Sequence, residues 1–341
     1  MTVLQVDPHR LPIILSSFVL FHPVSFPGDK QAFIPENQPF TDFSCEQLYC
    51  SHKFAAIYLR SGSTAGTRVI LIMKICSFTP GLKRQFDREV IRRIQLSNQY
   101  PEEILHEECL DHLPESVKKY LHYTGMTGKL KTRNVFIRAS GRIRSAPESG
   151  WMSFSSWQYN FFDDPLRIFY IKARKMGVPA IGLHLYKEQI AFMDIRLAGF
   201  LQIAYARGPE MNQAETVTIL NDMCFMAPAS LISPDIEWEE TDPLNVKASF
   251  RNGDIRISAK LTFDQDGRLI NFLSFDRYET SGNQFINYPW ETPVRDYGNF
   301  NGYLLPSQAD VIYKHPEEDF CYLEFKLEEI RYNVKSPVKI R

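Results

Sequence analysis

The sequence predicts a mainly β protein (α+β) with one large curved antiparallel sheet or half-barrel of about ten strands, one inserted helix and an N-terminal helical prefix. Apolar and polar residues alternate through much of the segment 132–333. A period of two gives a strand one buried and one wet face. Hairpin turns divide the segment, most clearly at Asn252-Gly253 and Asp266-Gly267. These dipeptides tolerate the positive φ angles of tight turns, so successive strands are expected to pair antiparallel.

Composition excludes several classes of protein. With 44% hydrophobic residues in 341 positions, the chain is able to bury a sizeable core and is not disordered as a whole. The 39 Lys and Arg residues nearly balance the 40 Asp and Glu residues, so no overall field favours nucleic acid as a partner. We therefore expect no nucleic-acid partner.

Cysteine content and apolar runs bear on the compartment. Six cysteines are too few for a disulfide scaffold in a chain of this length, which favours free thiols in a reducing environment. No segment reaches the roughly 20 apolar residues of a transmembrane helix, and the N-terminus lacks the pattern of a signal peptide. The sequence predicts a cytoplasmic protein without a transmembrane segment, with peripheral attachment to a membrane as the alternative.

The chain divides into three predicted regions. Scattered prolines and weak periodicity predict an irregular N-terminal extension over 1–80. A helical prefix follows over 81–128, with helices at 82–96, at about 101–110 and after Leu113-Pro114. The antiparallel β domain occupies 129–335 and contains one helix at 213–224, for which Asn212 is available as N-cap.

Several phrases in fixed order carry a resemblance to a known family. They are LPESVKKYLHYTG (113–125), ARGPEMNQAE (206–215), DQDGRLINF (264–272), YPWETPVRDYGNFNGYLLPSQADVIY (288–313) and DFCYLEFKLEEIRYN (319–333). Over about 112–333 the chain resembles an uncharacterised, mostly bacterial family of domains of unknown function. Family members commonly carry a membrane-anchoring helix before the LP phrase, whereas a soluble-looking helix stands there in this chain. By analogy, the resemblance implies a half-barrel similar to the lipoprotein-carrier (LolA-like) fold, whose concave face suits an apolar ligand.

We expect this β-rich domain to bind a hydrophobic small molecule or lipid in the concavity of its sheet. Ligand sites are mostly apolar with a few polar groups, and aromatic residues near strand ends fit this pattern, although they also pack ordinary cores. The turn before the inserted helix adds backbone donors for an anion or carbonyl. The expected ligand-binding residues are Arg207, Asn212, Met223, Trp238, Arg277, Tyr278, Trp290 and Tyr297.

An enzyme is the first alternative, although the common hydrolase, zincin and nucleotide-binding motifs are absent from the sequence. Asp222 stands near sulfur-rich and aromatic residues, where a carboxylate could have a raised pKa and act as general acid or base. Glu210 is the other candidate, with Arg207 as the anion-stabilising group. The opposing interpretations are that Asp222 faces outward or pairs with an arginine of an adjacent strand, and that Arg207 and Glu210 pair with each other or with neighbouring residues.

Two further patterns have simpler explanations. His106, Cys109 and His112 have the spacing of metal ligands but lack a nearby fourth, so an ordinary polar helix face is the simpler interpretation. Arg138, Arg142 and Arg144 form a basic row, either a solvated outer face or a contact for phosphate or anionic lipid. We expect no cofactor.

A protein-interaction module is the second alternative. Ligand binding predicts a large apolar cavity, catalysis predicts convergent titratable groups, and an interaction module predicts a filled core with an exposed apolar patch.

Overall fold

The computed structural model describes residues 81–340, apart from 176, 282 and 283 and the side chains at 175 and 281. It also describes the backbone of three earlier strands, β1 (Phe43–Ser51), β2 (Phe54–Ser61) and β3 (Arg68–Lys74), which pair antiparallel in the order β1-β2-β3. The prediction of an irregular chain over 1–80 is wrong for these strands, because apolar runs such as RVILIMK, too short to span a membrane, are long enough to form strands. The rest of 1–80 lies outside the described residues.

The described part of the chain after residue 80 forms a compact unit of its own, with three α-helices. They are α1 (Leu82–Ser97), α2 (Glu115–Tyr123) and α3 (Pro209–Met226). The helix predicted at about 101–110 is reduced to a 3-10 turn, Glu107–Leu110. Ile104 forms an isolated β-bridge with Leu130 and this keeps the chain extended just before that turn.

Sixteen strands follow α2, of which fourteen form one antiparallel sheet and two form a separate hairpin. Their bounds are β4 (Asn134–Ile143), β5 (Met152–Phe161), β6 (Leu166–Lys175), β7 (Val178–Lys187), β8 (Ile190–Leu197), β9 (Leu201–Arg207), β10 (Ile236–Asp242), β11 (Asn245–Asn252), β12 (Ile255–Phe263), β13 (Leu269–Ser274), β14 (Tyr278–Ser281), β15 (Gln284–Asn287), β16 (Trp290–Glu291), β17 (Val294–Phe300), β18 (Tyr303–Lys314) and β19 (Asp319–Tyr332). The prediction of a mainly β, curved antiparallel half-barrel is confirmed, and there are more strands than the ten or so predicted.

The sheet runs in the order β10-β11-β12-β13-β16-β18-β19-β4-β5-β6-β7-β8-β9, with β17 beside β18. The β4–β7 portion is covered on both faces. On one face α1 buries Phe86, Val90 and Ile94 in a cluster with residues of β4–β7. On the other face lie α3 and the largest core, which includes Val135 and Ile137 of β4. Alternate residues of one strand therefore enter two different cores.

The curl of the sheet brings its two ends together. The Asn252 amide at the end of β11 donates to the Tyr186 hydroxyl of β7 at 2.7 Å. In the adjacent turn, the Asp254 backbone N–H donates to Gln189 Oε1 at 3.1 Å. Gly253 has a φ of 57°, and a Cβ atom there would lie 2.1 Å from the Gln189 side chain. The Asn-Gly turn identified in the sequence thus provides both the hairpin and the room for this contact.

Candidate functional site

Helix α3 crosses the concave face of the sheet. It packs against β8 and β9 on one side and against β12, β13, β14 and β18 on the other. Nearly every residue after the first turn is buried, and the buried set includes polar ones such as Glu215, Thr216 and Asn221. A helix that is buried all round lacks the amphipathic pattern of a surface helix. Its polar residues therefore need partners within the protein.

The partners of Glu215 and Asp222 come from the inner faces of β5 and β6. Arg167 Nη1 lies 3.0 Å from Glu215 Oε2, and Arg167 Nε lies 2.9 Å from Asp222 Oδ2. Asp222 Oδ2 also accepts hydrogen bonds from Gln158 Nε2 at 2.6 Å and from Asn160 Nδ2 at 3.0 Å. These five residues are here called the Arg167 cluster. Long polar side chains thus connect α3 to the middle of the sheet.

The cluster is shielded from water. The side chains of Arg167, Glu215 and Asp222 are 9%, 2% and 13% exposed, respectively. The Arg167 guanidinium lies over the Phe169 ring at 4.7 Å, and His184 Nδ1 is 3.7 Å from Glu215 Oε1. One guanidinium is therefore opposed by two carboxylates in a poorly solvated space, where charges interact more strongly than in water.

The two carboxyl groups respond to this environment in opposite directions. Burial raises the pKa of Asp222 above its usual value, against the opposing effects of Arg167, Asn160 and Gln158. For Glu215, burial also raises the pKa, but the charge of Arg167 and the contact with His184 outweigh it and hold the pKa at about 2. Glu215 is therefore the permanent counter-ion of Arg167, and Asp222 is the carboxyl group more readily protonated.

Apolar residues continue the inner face of α3 beyond the cluster. Glu215, Ile219, Asp222 and Met226 recur at helical spacing and so share one face of the helix. Ile219 and Met226 are buried in the large core together with residues of β4 and β19. The Tyr332 hydroxyl donates to the Met226 carbonyl oxygen at 2.6 Å. The interior beneath α3 is thus polar at the cluster and apolar toward the end of the helix.

Three of the expected ligand-binding residues come together beside the Arg167 cluster, next to Thr218 of α3. The Arg277 guanidinium stacks 4.7 Å from the Trp290 ring, donates to Thr218 Oγ1 at 3.2 Å and forms a short hydrogen bond to the Tyr313 hydroxyl. That hydroxyl donates to the Tyr278 carbonyl oxygen at 3.1 Å. Burial opposes the charge of Arg277, but nearby Tyr313 and other groups keep its pKa above the ordinary value.

The other expected ligand-binding residues are dispersed. Met223 is buried within α3. Trp238 is half-buried on β10, and the Tyr297 hydroxyl donates to the Leu269 carbonyl oxygen at 2.8 Å. Arg207 is exposed. The structure therefore does not gather the predicted residues around one ligand position, and their role in binding stays a prediction.

The turn before α3 differs from the prediction. The helix begins at Pro209 instead of 213 and ends at Met226, and its N-cap is Gly208. The prediction that Asn212 caps the helix is wrong, because Pro at the first helical position starts it earlier. The Asn212 side chain instead accepts a hydrogen bond from the Ala191 backbone N–H at 2.7 Å. Within the described residues, no ion pair joins Arg207 to Glu210.

Asp222 has one feature of an acid or base group and one of a structural group. Its raised pKa suits proton transfer. It also pairs with an arginine of a strand, as the opposing interpretation expected. An acid/base role for Asp222, or for the half-buried Glu210, stays a prediction.

The residues with metal-ligand spacing lie around the 3-10 turn. His106 and His112 are exposed, and Cys109 is half-buried. Among the residues that the structure describes, no three His, Cys, Asp or Glu side chains converge to hold a metal ion. In the basic row, Arg138 and Arg142 pair with Glu329 and Glu324 of β19. Arg144 donates to backbone carbonyl groups.

Of the Arg167 cluster, only Asp222 is among the site residues predicted from the sequence. Arg167 follows Leu166 and precedes Ile168, both of which lie under α1. A period-two pattern of this kind is typical of a strand with one solvated face, so the pattern alone gives no sign that Arg167 is buried. The available signal was the pair Glu215 and Asp222 in a helix that also carries Val217, Ile219, Leu220 and Met223, because a carboxylate buried with such residues needs a cation as partner.

A cleft lies away from the Arg167 cluster. It has a volume of about 400 Å³ and is lined by α2 and by the turns that follow β10 and β12. None of its lining residues belongs to the Arg167 cluster.

In the described part of the chain, no helix is both long enough and apolar enough to cross a membrane.

A family model for a family of unknown function, DUF6544, matches residues 103–325. The chain belongs to this family. The segment that matches the family includes β4–β18, α3 and the whole Arg167 cluster. No curated protein matches the chain significantly.

Two solved structures are similar to this member of the family at low identity. A DUF1329 family protein from Desulfovibrio piger is 13% identical, with a TM-score of 0.36, over 75% of this chain and 95% of its own. A LolA superfamily protein from Nitrosomonas europaea is 8% identical, with a TM-score of 0.36, over 64% of this chain and 91% of its own. At these values, neither structure supports an inference about the function of this chain.

Proposed function

We propose that the half-barrel binds a hydrophobic small molecule or lipid against its concave face, with α3 as the cover of the binding site. The placement of α3 carries the proposal. The helix packs against strands toward both ends of the curved sheet, and side chains such as Arg167 connect it to the middle strands. An apolar ligand that enters between α3 and β4–β6 would exchange one set of buried apolar contacts for another.

The lining supports such an exchange. The core around α3 contains Met126, Met211, Met223 and Met226. Methionine is unbranched and polarizable, so it adapts to ligands of different shape. The interior has a polar end at the Arg167 cluster and an apolar length beyond it, which is the arrangement an amphipathic molecule requires.

Because side chains occupy the space under α3, the helix must move outward for a ligand to bind. The bound state then competes with the closed state, and the apparent affinity falls with the fraction of protein that is open. Any change that weakens the packing of α3 against the sheet should therefore strengthen ligand binding. This coupling separates the proposal from simple adsorption of an apolar molecule to the surface.

The test is the binding of a neutral apolar fluorescent dye, N-phenyl-1-naphthylamine, to the full chain. The variant Ile219→Ala removes a buried side chain from the inner face of α3, at a cost of about 2–5 kcal/mol to the closed state. We expect the dye to bind this variant at least about tenfold more tightly than the unchanged protein, since 1.4 kcal/mol corresponds to a factor of ten.

Ile168→Ala is the matched control, because Ile168 is equally buried but lies in the core under α1. It should lower the stability of the protein without altering the affinity for the dye. Equal affinity in all three proteins would contradict the role of α3 as a cover. An absence of dye binding in all three would contradict the proposed function.

A further inference from the structure

The charge balance of the Arg167 cluster restricts the ligand of the proposed site. Arg167 carries one positive charge, and α3 supplies two carboxyl groups to it, from Glu215 and Asp222. Both belong to the element that must move when a ligand enters. An arginine buried on the sheet would lose a counter-ion as α3 moves, and an incompletely compensated buried charge is unfavourable.

A ligand with an anionic headgroup removes this penalty. We infer that Arg167 anchors the headgroup of a long-chain carboxylate, which takes the position of Asp222 on the guanidinium while its chain lies along the apolar face beneath α3. This inference rests on the proposed function and adds the class of ligand to it. A carboxylate suits the position because it replaces a carboxylate of the same charge and accepts the same hydrogen bonds.

The geometry favours Asp222 as the group that leaves. Glu215 is the more deeply buried carboxylate and also faces His184. Asp222 directs a single oxygen, Oδ2, to its three donors, and no described residue donates to its other oxygen. Its release would leave the side-chain amides of Gln158 and Asn160 facing the incoming headgroup together with Arg167.

Charge balance follows from the same exchange. The titratable and charged groups that face the cluster are Arg167 of β6, Glu215 of α3, His184 of β7 and Arg277. The carboxylate of the ligand would restore beside the guanidinium the negative charge that leaves with Asp222.

The experiment compares dodecanoate with dodecanol, which has the same chain length and a neutral headgroup, by calorimetric titration of the full chain below the aggregation limits of both compounds. We expect dodecanoate to bind at least about tenfold more tightly than dodecanol. The variant Asp222→Asn removes the competing charge from Arg167 and should strengthen dodecanoate binding by about tenfold again, a change equivalent to 1.4 kcal/mol. It should not strengthen dodecanol binding to the same extent.

Asp194→Asn is the matched control, because Asp194 is also a buried aspartate in an ion pair, with Arg196, and lies outside the cluster. It should leave both affinities unchanged. If dodecanol and dodecanoate bind equally, the role of Arg167 is overturned while the proposed function stands. If neither compound binds to any of the proteins, the proposed function fails and the inference fails with it. If Asp222→Asn does not favour the carboxylate, Asp222 is not the group displaced.

Discussion

At the scale of single residues, two carboxyl groups that share one arginine differ in their effect on stability. Glu215 has a depressed pKa in the folded state, so its contribution is fully present above pH 4.5 and is lost as the pH falls toward about 2. Asp222 has a raised pKa, so the folded state holds its proton more readily than the unfolded state does. Ionisation of Asp222 therefore lowers stability as the pH rises through its folded pKa.

The first prediction concerns Glu215→Gln. A fall in pKa from 4.5 to about 2 corresponds to about 3 kcal/mol of stabilisation at neutral pH, because each pKa unit is worth 1.36 kcal/mol. We expect the variant to be less stable than the unchanged protein by a few kcal/mol at pH 7. The difference should shrink as the pH is lowered from 4.5 toward 2. Urea unfolding at a series of pH values measures it.

Glu324→Gln is the control for this series, because Glu324 pairs with Arg142 at the surface of the sheet. Exposed ion pairs contribute at most about 1 kcal/mol, so this variant should follow the unchanged protein closely. A Glu215→Gln protein that unfolds with the same pH dependence as the unchanged protein would contradict the role of Glu215 as the counter-ion of Arg167.

Among the secondary-structure elements, α3 was predictable from the sequence in part: its presence was predictable, but its first residue and the partner of Asn212 were not. Its existence was predictable from apolar spacing, but its start was not, because Gly208-Pro209 resembles an interruption of the chain. Proline is favourable in the first helical turn, where its missing N–H group has no helical partner anyway. The hydrogen bond of the Asn212 side chain was equally unpredictable, since its partner, the Ala191 backbone N–H, is distant in sequence and is brought close only by the fold.

The second prediction concerns the glycine before α3. Gly208 has φ 123° and ψ 178°, a combination that is essentially restricted to glycine. Gly208→Ala should therefore destabilise the protein by about 1–3 kcal/mol. Gly81 is the matched control: it precedes α1 with φ −53°, and a Cβ atom there would meet nothing within 4 Å.

For Gly81→Ala we expect unchanged stability or a gain of up to about 1 kcal/mol, because alanine restricts the unfolded chain. Chemical denaturation of both variants measures the difference. A Gly208→Ala protein as stable as the Gly81→Ala protein would show that the start of α3 does not have the backbone conformation described here.

At the scale of the whole molecule, the fold class was predictable because period-two alternation and Asn-Gly or Asp-Gly turns act locally. The contact between the ends of the sheet was not, since it depends on hydrogen bonds such as that from Asn252 to Tyr186 across the curl. The site was the least predictable part. Arg167, Glu215 and Asp222 are separated by up to 55 positions, and each alone has an ordinary explanation as a surface residue.

The central claim is that the half-barrel holds an apolar or amphipathic molecule beneath α3. Native mass spectrometry of the full chain after mild purification, followed by denaturing extraction, tests it most directly. We expect a stoichiometric adduct that is released on denaturation and is identified as a molecule with a long apolar chain. A protein that remains free of any adduct, even after incubation with dodecanoate and with the neutral dye, would contradict it.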